Sequence, residues 1–248
     1  MISVVVNSHR PQMATEISAM YRRLLAAVPH EVIVIADARS MCDGYTRGTR
    51  QAKGDVMIYS HHDIEYLFDD FAAVLERALS KYDVIGVAGT DKLVNPVWTH
   101  AGIGHQFGQV VHPNKKGTLD VEIYSVPAPI IGGIVAMDGL FLAARREAVE
   151  RVGWDGETFD GFHFYDIDFT FRAALAGLNL AVVPELGFFH SSLNGPDPNY
   201  ATYEKRFAAK HGASIPPGPA YPFQVAIQRV PDRDAARKVL RPDFWNRK

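Results

Sequence analysis

Three apolar runs, each closed by a polar cluster, constrain this chain more than any other feature. "ISVVV" runs into "NSHR", "EVIVIA" into "DARS", and "VMIY" into "SHHD". β-Branched runs of this length, bounded by polar residues, fit buried strands. Between the first two lies a segment in which Met13, Ile17, Met20, Leu24 and Val28 recur at helical spacing, so an amphipathic helix is expected there. Strand, helix, strand at this spacing is a βαβ unit, whose strands are parallel. In open α/β sheets ligands bind beyond the carboxyl ends of the strands. The three polar clusters are therefore expected side by side on one rim.

The remaining elements continue the alternation. "GYTRGTRQAKGD" reads as a short helix closed by Gly54, Leu67 to Lys81 as an amphipathic helix through Phe71, Leu75 and Leu79, and "DVIGVAG" as a fourth strand. "GLFLAARREAVERVG" reads as a strand and a short helix, and "YDIDFTFRAALAG" as a helix ended by Gly177. "NLAVVP" and "GFFH" are short strands, and "NYATYEKRFAAKHG" is a last helix. Residues 90–131 break the pattern with glycine, proline, histidine and asparagine, and contain one expected strand, "LDVEIYSV". An irregular stretch this long in a compact domain is usually functional, which makes Trp98, His100 and His105 candidates for ligand recognition or a lid. Two parts follow: a domain over 1–212 and a Pro-rich extension over 213–248 that packs on it. Pro216, Pro217, Pro219 and Pro222 prevent a continuous helix or central strand. The extension is expected to be a strap, with Tyr221, Phe223, Val225, Ile227, Val239, Leu240, Phe244 and Trp245 available for burial.

Composition excludes several classes. A formal net charge of −2 gives no basic field for nucleic acid. The single cysteine, Cys42, excludes an internal disulfide and thiolate-built zinc sites. No apolar run approaches the ~20 residues of a membrane span, and "MISVVVNSHR" lacks a charged leader. A cytoplasmic location is expected.

Several polar residues carry chemistry. Asp63 is either a metal-binding carboxylate or a cap for the helix that starts near Leu67. His61 and His62 alternate across the strand, so at most one of them shares the face of Asp63 where the chain stays extended. On a helix Asp166 and Asp168 point about 200° apart and cannot serve one site. Asp168 and Arg172 have the spacing of a helical ion pair. Asp166 is either an N-cap or, held near aromatic rings, a general base. His190 ends "GFFH", where an imidazole with a carboxylate suits Mn²⁺ or Mg²⁺ beside diphosphate oxygens.

Taken in order over residues 2–192, these segments resemble the GT-A glycosyltransferases, specifically the inverting family-two type and its streptomycin-biosynthesis-like branch. "SVVVNSHR" is similar to the first strand, whose end cradles the nucleobase; "EVIVIADARS" resembles "EIIVVDDGS"; and "YTRGTRQAKGD" resembles "RNxGxxxAxG". "SHHD" occupies the place of the Asp-x-Asp metal motif. "MDGLFLAARR" resembles the segment lining the sugar and acceptor cleft, and "FDGFHFYDIDFTFRAALAGLNLAVVPELGFFH" the long signature of aromatics, D-x-D-x-x-x-R, Gly, Pro and His. The resemblance implies a mostly parallel, Rossmann-like central sheet flanked by helices, with a small antiparallel subsheet. It assigns nucleotide and donor binding to Asn7, Ser8, Asp37, Gly48, His62 and Asp63. The donor or acceptor cleft takes Asp138, Gly139, Trp98 and His163. Catalysis falls to Asp166 as base, and a divalent cation, Mn²⁺ or Mg²⁺, to Asp63 and His190. The implied donor is a UDP, GDP or dTDP sugar, and the acceptor a glycan or small molecule. The basic end of the tail is a candidate for peripheral membrane or homo-oligomer contact. Ala36, Thr46 and His61 depart from the pattern, the last at the first metal-motif aspartate. Two other readings stay open: a retaining transferase or other nucleotide-sugar enzyme on this fold, and a non-catalytic glycan-binding module.

Overall fold

The structure, a computed structural model, describes residues 1–124, 128–192 and 197–242. The first half runs β1 (Ile2–Asn7), α1 (Pro11–Leu24), β2 (His30–Ile35), α2 (Met41–Gln51), β3 (Val56–Ser60), β4 (Ile64–Tyr66), α3 (Phe71–Leu79), β5 (Val84–Gly86) and β6 (Ala88–Thr90). Next come β7 (Gln106–Pro113), β8 (Leu119–Ile123), β9 (Ile131–Gly132), β10 (Ala136–Met137), β11 (Phe141–Arg145) and α4 (Arg146–Val152). The chain closes with α5 (Tyr165–Leu175), β12 (Leu180–Val182), β13 (Phe188–His190), α6 (Tyr200–His211), β14 (Ala226–Val230) and α7 (Arg233–Leu240).

One sheet has the order β2-β1-β3-β11-β5-β12-β9. β1 is parallel to β2 and β3, whereas β11 runs antiparallel between β3 and β5. The valines of β1 explain why this sheet lies at the centre. Val4 and Val6 feed an apolar cluster with Ile17 and Tyr21 of α1 and Phe71 and Val74 of α3. Val5 faces the other way, into a cluster with Tyr45 of α2 and Phe169 of α5. Side chains alternate across a strand, so a continuous apolar run requires cover on both faces.

The second sheet is larger than the small subsheet expected. Its path is β10-β6-β7-β13-β4, extended from β7 through β8 to β14, and only the β13–β7 pair is parallel. "DVIGVAG" is therefore two strands, because the chain leaves the first sheet after Gly86 and enters the second at Ala88. The 90–131 stretch holds β7 as well as the expected strand. Only Phe107, Val110 and Val111 are strong strand formers in "QFGQVVHP", and Gly108 and Gln109 separate the first from the others, which hid it. α2 starts earlier than read, at an N-cap where Ser40 Oγ accepts from Asp43 N at 3.0 Å. It ends before Gly54, whose N–H instead donates to Ser3 Oγ at 2.7 Å.

The tail differs from a plain strap. Residues 226–230 pair antiparallel with β8, and α7 follows, capped by Asp232 accepting from Ala235 N at 2.9 Å. Val230, Ala236 and Leu240 are buried with Val111, Val121 and Phe189. Tyr221, Phe223 and Ile227 are exposed, contrary to the expectation of burial: Ile227 lies on β14, an edge strand paired only with β8, and Tyr221 and Phe223 lie in the irregular stretch before it. Phe244 and Trp245 lie outside the described residues. No helix among the described residues is long and apolar enough to cross a membrane.

Candidate active site

The parallel register of β2, β1 and β3 brings their polar ends to one rim. Asn7 and Ser8 leave β1 between the residues that follow Ile35 of β2 and Ser60 of β3. The strand stops at Ser60, and His61 N donates to Leu140 O at 3.1 Å as the chain turns into β4. β4 pairs antiparallel with β13, placing Ile64 opposite His190, and Ser191 N donates to Asp63 O at 2.9 Å. Two sequence-distant ends are thereby locked together. His190 Nε2 lies 3.3 Å from Asp63 Oδ2, and His61 Nδ1 lies 4.0 Å from Asp63 Oδ1. One ligand atom from each of His61, Asp63 and His190 falls within 4.8 Å of the others. Asp63 does not cap α3, whose N-cap is Asp70. Burial pushes its carboxyl up, but the His190 hydrogen bond and the surrounding histidines outweigh burial and hold it below the usual carboxylate range. His62 turns away from this cluster, and its Nδ1 meets Ser8 Oγ at 2.8 Å.

Asp166 approaches from α5. The helix is set up by Phe164, whose φ of 61° is the one positive value outside glycine among the described residues. That conformation costs an ordinary residue about 1–2 kcal/mol. Its side chain is buried, with ring centroids 5.0 Å from Tyr200 and 5.7 Å from Phe207, and this packing holds the turn. Phe164, not Asp166, is the N-cap. Asp166 Oδ2 instead accepts from Gly139 N at 2.6 Å. Glycine is required at 139, since a Cβ there would sit 2.3 Å from Tyr165 Oη and 2.7 Å from Asp166 Cβ. Burial, followed by the charge of Asp138, lifts the Asp166 carboxyl to about 7. Asp138 Oδ1 is held by Leu140 N at 3.0 Å.

The two clusters share one cavity of about 420 Å³, within the range of small-molecule sites. His61, His190, Asp138 and Asp166 line it, with Trp98, His112, Tyr124, Phe162, His163 and Tyr200. Tyr165 joins the halves: its hydroxyl meets His61 Nε2 at 2.9 Å. Asp168 points out of the site into a buried network. It accepts from Arg172 Nε at 2.8 Å and Lys210 Nζ at 2.6 Å, and meets His211 Nε2 at 2.7 Å.

The remaining expected residues divide. Trp98 and His163 line the cavity, and Gly139 shapes its base. Asn7 Nδ2 donates to Met41 O at 3.1 Å, leaving its buried Oδ1 without a partner among the described residues. Asp37 is exposed on the rim, where Arg47 Nη2 donates to its Oδ1 at 2.6 Å. Gly48 is not on the rim. It is buried against β1, where a Cβ would lie 2.2 Å from Val5 Cγ1, so it serves close packing of α2. Sequence reading missed His61 as a member of the metal cluster, although its His-x-Asp spacing with Asp63 was a usable signal. It also missed His112, whose ring centroid is 5.2 Å from that of His190, together with Tyr124 and Tyr200. No local pattern marks those three, because non-local strand and helix packing assembles them, whereas Phe162 and Tyr165 belong to the aromatic run before Asp166.

Comparison with known proteins gives the same architecture. Residues 3–211 match the model of a glycosyltransferase-like family. Among solved structures, GalNAc-T7 with UDP, GalNAc and Mn²⁺ superposes with a TM-score of 0.53 at 14% identity, over 86% of this chain and 48% of that one. A mannosyltransferase from Pyrobaculum calidifontis, in complex with GDP-Man and Mn²⁺, gives 0.46 at 13% identity, over 88% of this chain and 65% of that one. A Drosophila β-1,4-galactosyltransferase 7 mutant with manganese, UDP-Gal and xylobiose gives 0.45 at 16% identity, over 72% and 63%. The chain thus spans less than two thirds of each of these three. No curated protein matches it. The mixed α/β fold is that of the GT-A glycosyltransferases.

Proposed function

Because the chain belongs to the glycosyltransferase-like family, we propose that it transfers a sugar from a nucleotide-diphosphate donor to an acceptor hydroxyl, with inversion at the anomeric carbon. One observation carries this reading: Asp166, lifted to about 7, opens onto the same cavity as His61 and His190. A carboxylate in that range is matched to taking a proton at neutral pH.

In this mechanism Asp166 accepts the acceptor hydroxyl proton as that oxygen attacks the anomeric carbon. The bond from that carbon to the diphosphate oxygen breaks, and its electron pair leaves with the nucleoside diphosphate. The Gly139 N–H, 2.6 Å from Oδ2, keeps the carboxyl from rotating. His61, Asp63 and His190 fit a divalent cation, with ligand atoms all within 4.8 Å of one another. Two imidazoles with one carboxylate favour Mn²⁺ over Mg²⁺. When bound, such a cation supplies charge stabilisation to the leaving diphosphate. Tyr165 orients His61 through its hydroxyl. The rim residues Asn7, Ser8, Asp37 and His62 are assigned to the nucleoside, in keeping with ligand binding beyond strand ends. Residues 1–212 form the catalytic unit, and 213–248 an extension packed on it.

The test is a transfer assay with UDP, GDP and dTDP sugars in Mn²⁺. Asp166→Asn is expected to lower turnover by at least ~10²-fold while leaving nucleotide binding intact. The anomer of the product, read by NMR, is expected to be inverted. Turnover within a few-fold of wild type, or a retained anomer, rejects the mechanism.

A further inference from the structure

We propose that the acceptor is an uncharged, hydroxyl-bearing ring that stacks on Phe162 and Tyr200 at the cavity mouth. This rests on the reading of the chain as a glycosyltransferase and names the class of substrate for its second site.

The first support is aromatic surface left in water. Phe162 is 58% exposed and Tyr200 38% exposed, yet both line the cavity. Covering such rings with apolar surface is favourable, and exposed aromatic patches at a concave site mark ligand contacts. Tyr200 is held in place, its centroid 5.4 Å from His163 and 5.0 Å from Phe164. Trp98 and Tyr124, 5.4 Å apart, add a second aromatic surface to the same cavity. The C–H faces of a sugar or cyclitol ring suit these walls, while its hydroxyls suit the few polar groups between them.

The second support is charge. Among the described residues lining the cavity there is no lysine or arginine. The lining carboxylates are Asp138 and Asp166, and the lining imidazoles are His61, His112, His163 and His190. Of these, His163 Nε2 is already engaged by Asp197 Oδ2 at 2.8 Å, and His61 and His190 belong to the Asp63 cluster. A phosphate or uronate on the acceptor would therefore enter beside Asp138 and Asp166 with no lysine or arginine among the described lining residues to meet it, the cation of the Asp63 cluster being taken up by the donor diphosphate. Unpaired charge in a partly desolvated site is costly. The same carboxylates accept hydrogen bonds from neutral hydroxyls without that cost.

The experiment is a calorimetric or saturation-transfer NMR titration of the full chain in metal-free buffer. The probes are phenyl β-D-glucopyranoside and phenyl β-D-glucuronide, which differ only in the carboxylate. The neutral glycoside is expected to bind at least about tenfold more tightly than the glucuronide. Phe162→Ala and Tyr200→Ala, both at exposed positions, are each expected to weaken the neutral probe about three- to tenfold. Equal or tighter binding of the glucuronide, no binding of the neutral glycoside, or unchanged affinity in both variants overturns the proposal. Donor binding is scored separately by titrating UDP, GDP and dTDP with Mn²⁺. A protein that binds nucleotide but prefers the glucuronide loses this inference and keeps the transferase reading. One that binds the neutral glycoside and no nucleotide keeps the aromatic ring site but loses the transferase reading, and with it the ring's role as acceptor.

Discussion

Replacing Asp166 with asparagine is expected to stabilise the protein above neutral pH while removing its activity. The carboxyl is moved from an ordinary 3.8 to about 7, first by burial and then by the charge of Asp138. A rise of that size corresponds to about 4 kcal/mol between protonation states. The sign follows from linkage. Below pH 4 the carboxyl is protonated in both folded and unfolded chains, so Asp166 resembles asparagine and the substitution is neutral. As pH rises through 3.8 toward 7, the unfolded chain ionises freely and the folded one resists, so wild-type stability falls. Above pH 7 the full cost stands. Solvent screening at the cavity lowers that cost, so the gain for Asp166→Asn is expected at about 1–3 kcal/mol. Asparagine keeps an oxygen for the Gly139 N–H, so the geometry is conserved. Urea unfolding of both proteins in metal-free buffer at pH 4.5 and pH 8 measures the difference. Equal stability at pH 8, or a gain of the same size at both pH values, would refute a carboxylate held against its own ionisation.

Two further outcomes are expected. Chelation by EDTA, His61→Ala and His190→Ala should each weaken nucleotide-sugar binding by about tenfold or more; full binding in excess EDTA would remove the cation from the mechanism. Ending the chain after Gly212 uncovers the cluster around Val111 and Phe189 by removing Val230, Ala236 and Leu240. The melting temperature should fall by roughly 5–10 °C, and an unchanged value would make the extension a loose appendage.

How much of this was legible depended on how local the signal was. The three strand ends could be read directly, because a buried parallel strand needs an apolar run and its polar end is forced onto the ligand-binding rim. Asp166 and Asp168 were separable for the same reason: helical geometry alone puts them on opposite sides. β7 and α7 were not legible. β7 is interrupted by Gly108 and by Gln109, whose amide finds its partners only in the fold; its Nε2 donates to Leu240 O at 2.6 Å, a partner 131 residues away. α7 had an N-cap signal in Asp232, but the prolines before it drew the reading toward extended chain.

The hidden residues also explain why two carboxylates two positions apart have opposite fates. Asp168 is surrounded by Arg172, Lys210 and His211, and although burial opposes ionisation, those partners hold it below the usual carboxylate range. Asp166 has burial, a carboxylate neighbour and no cation bonded to it among the described residues, so it moves the other way. Both shifts need the α6 packing that the sequence did not announce. Lys210 and His211 fix α6 to the rear of α5, and Tyr200 and Phe207 on the same helix hold Phe164 in its left-handed turn. One helix thus anchors the ionised carboxylate behind the site and the strained turn that presents the base in front. Loosening α6 should therefore displace Asp166 before it unfolds the sheet, since α6 gives only Phe207 to the buried clusters on the sheet, whose helical cover comes from α1 and α3 on one face and from α2, α4 and α5 on the other.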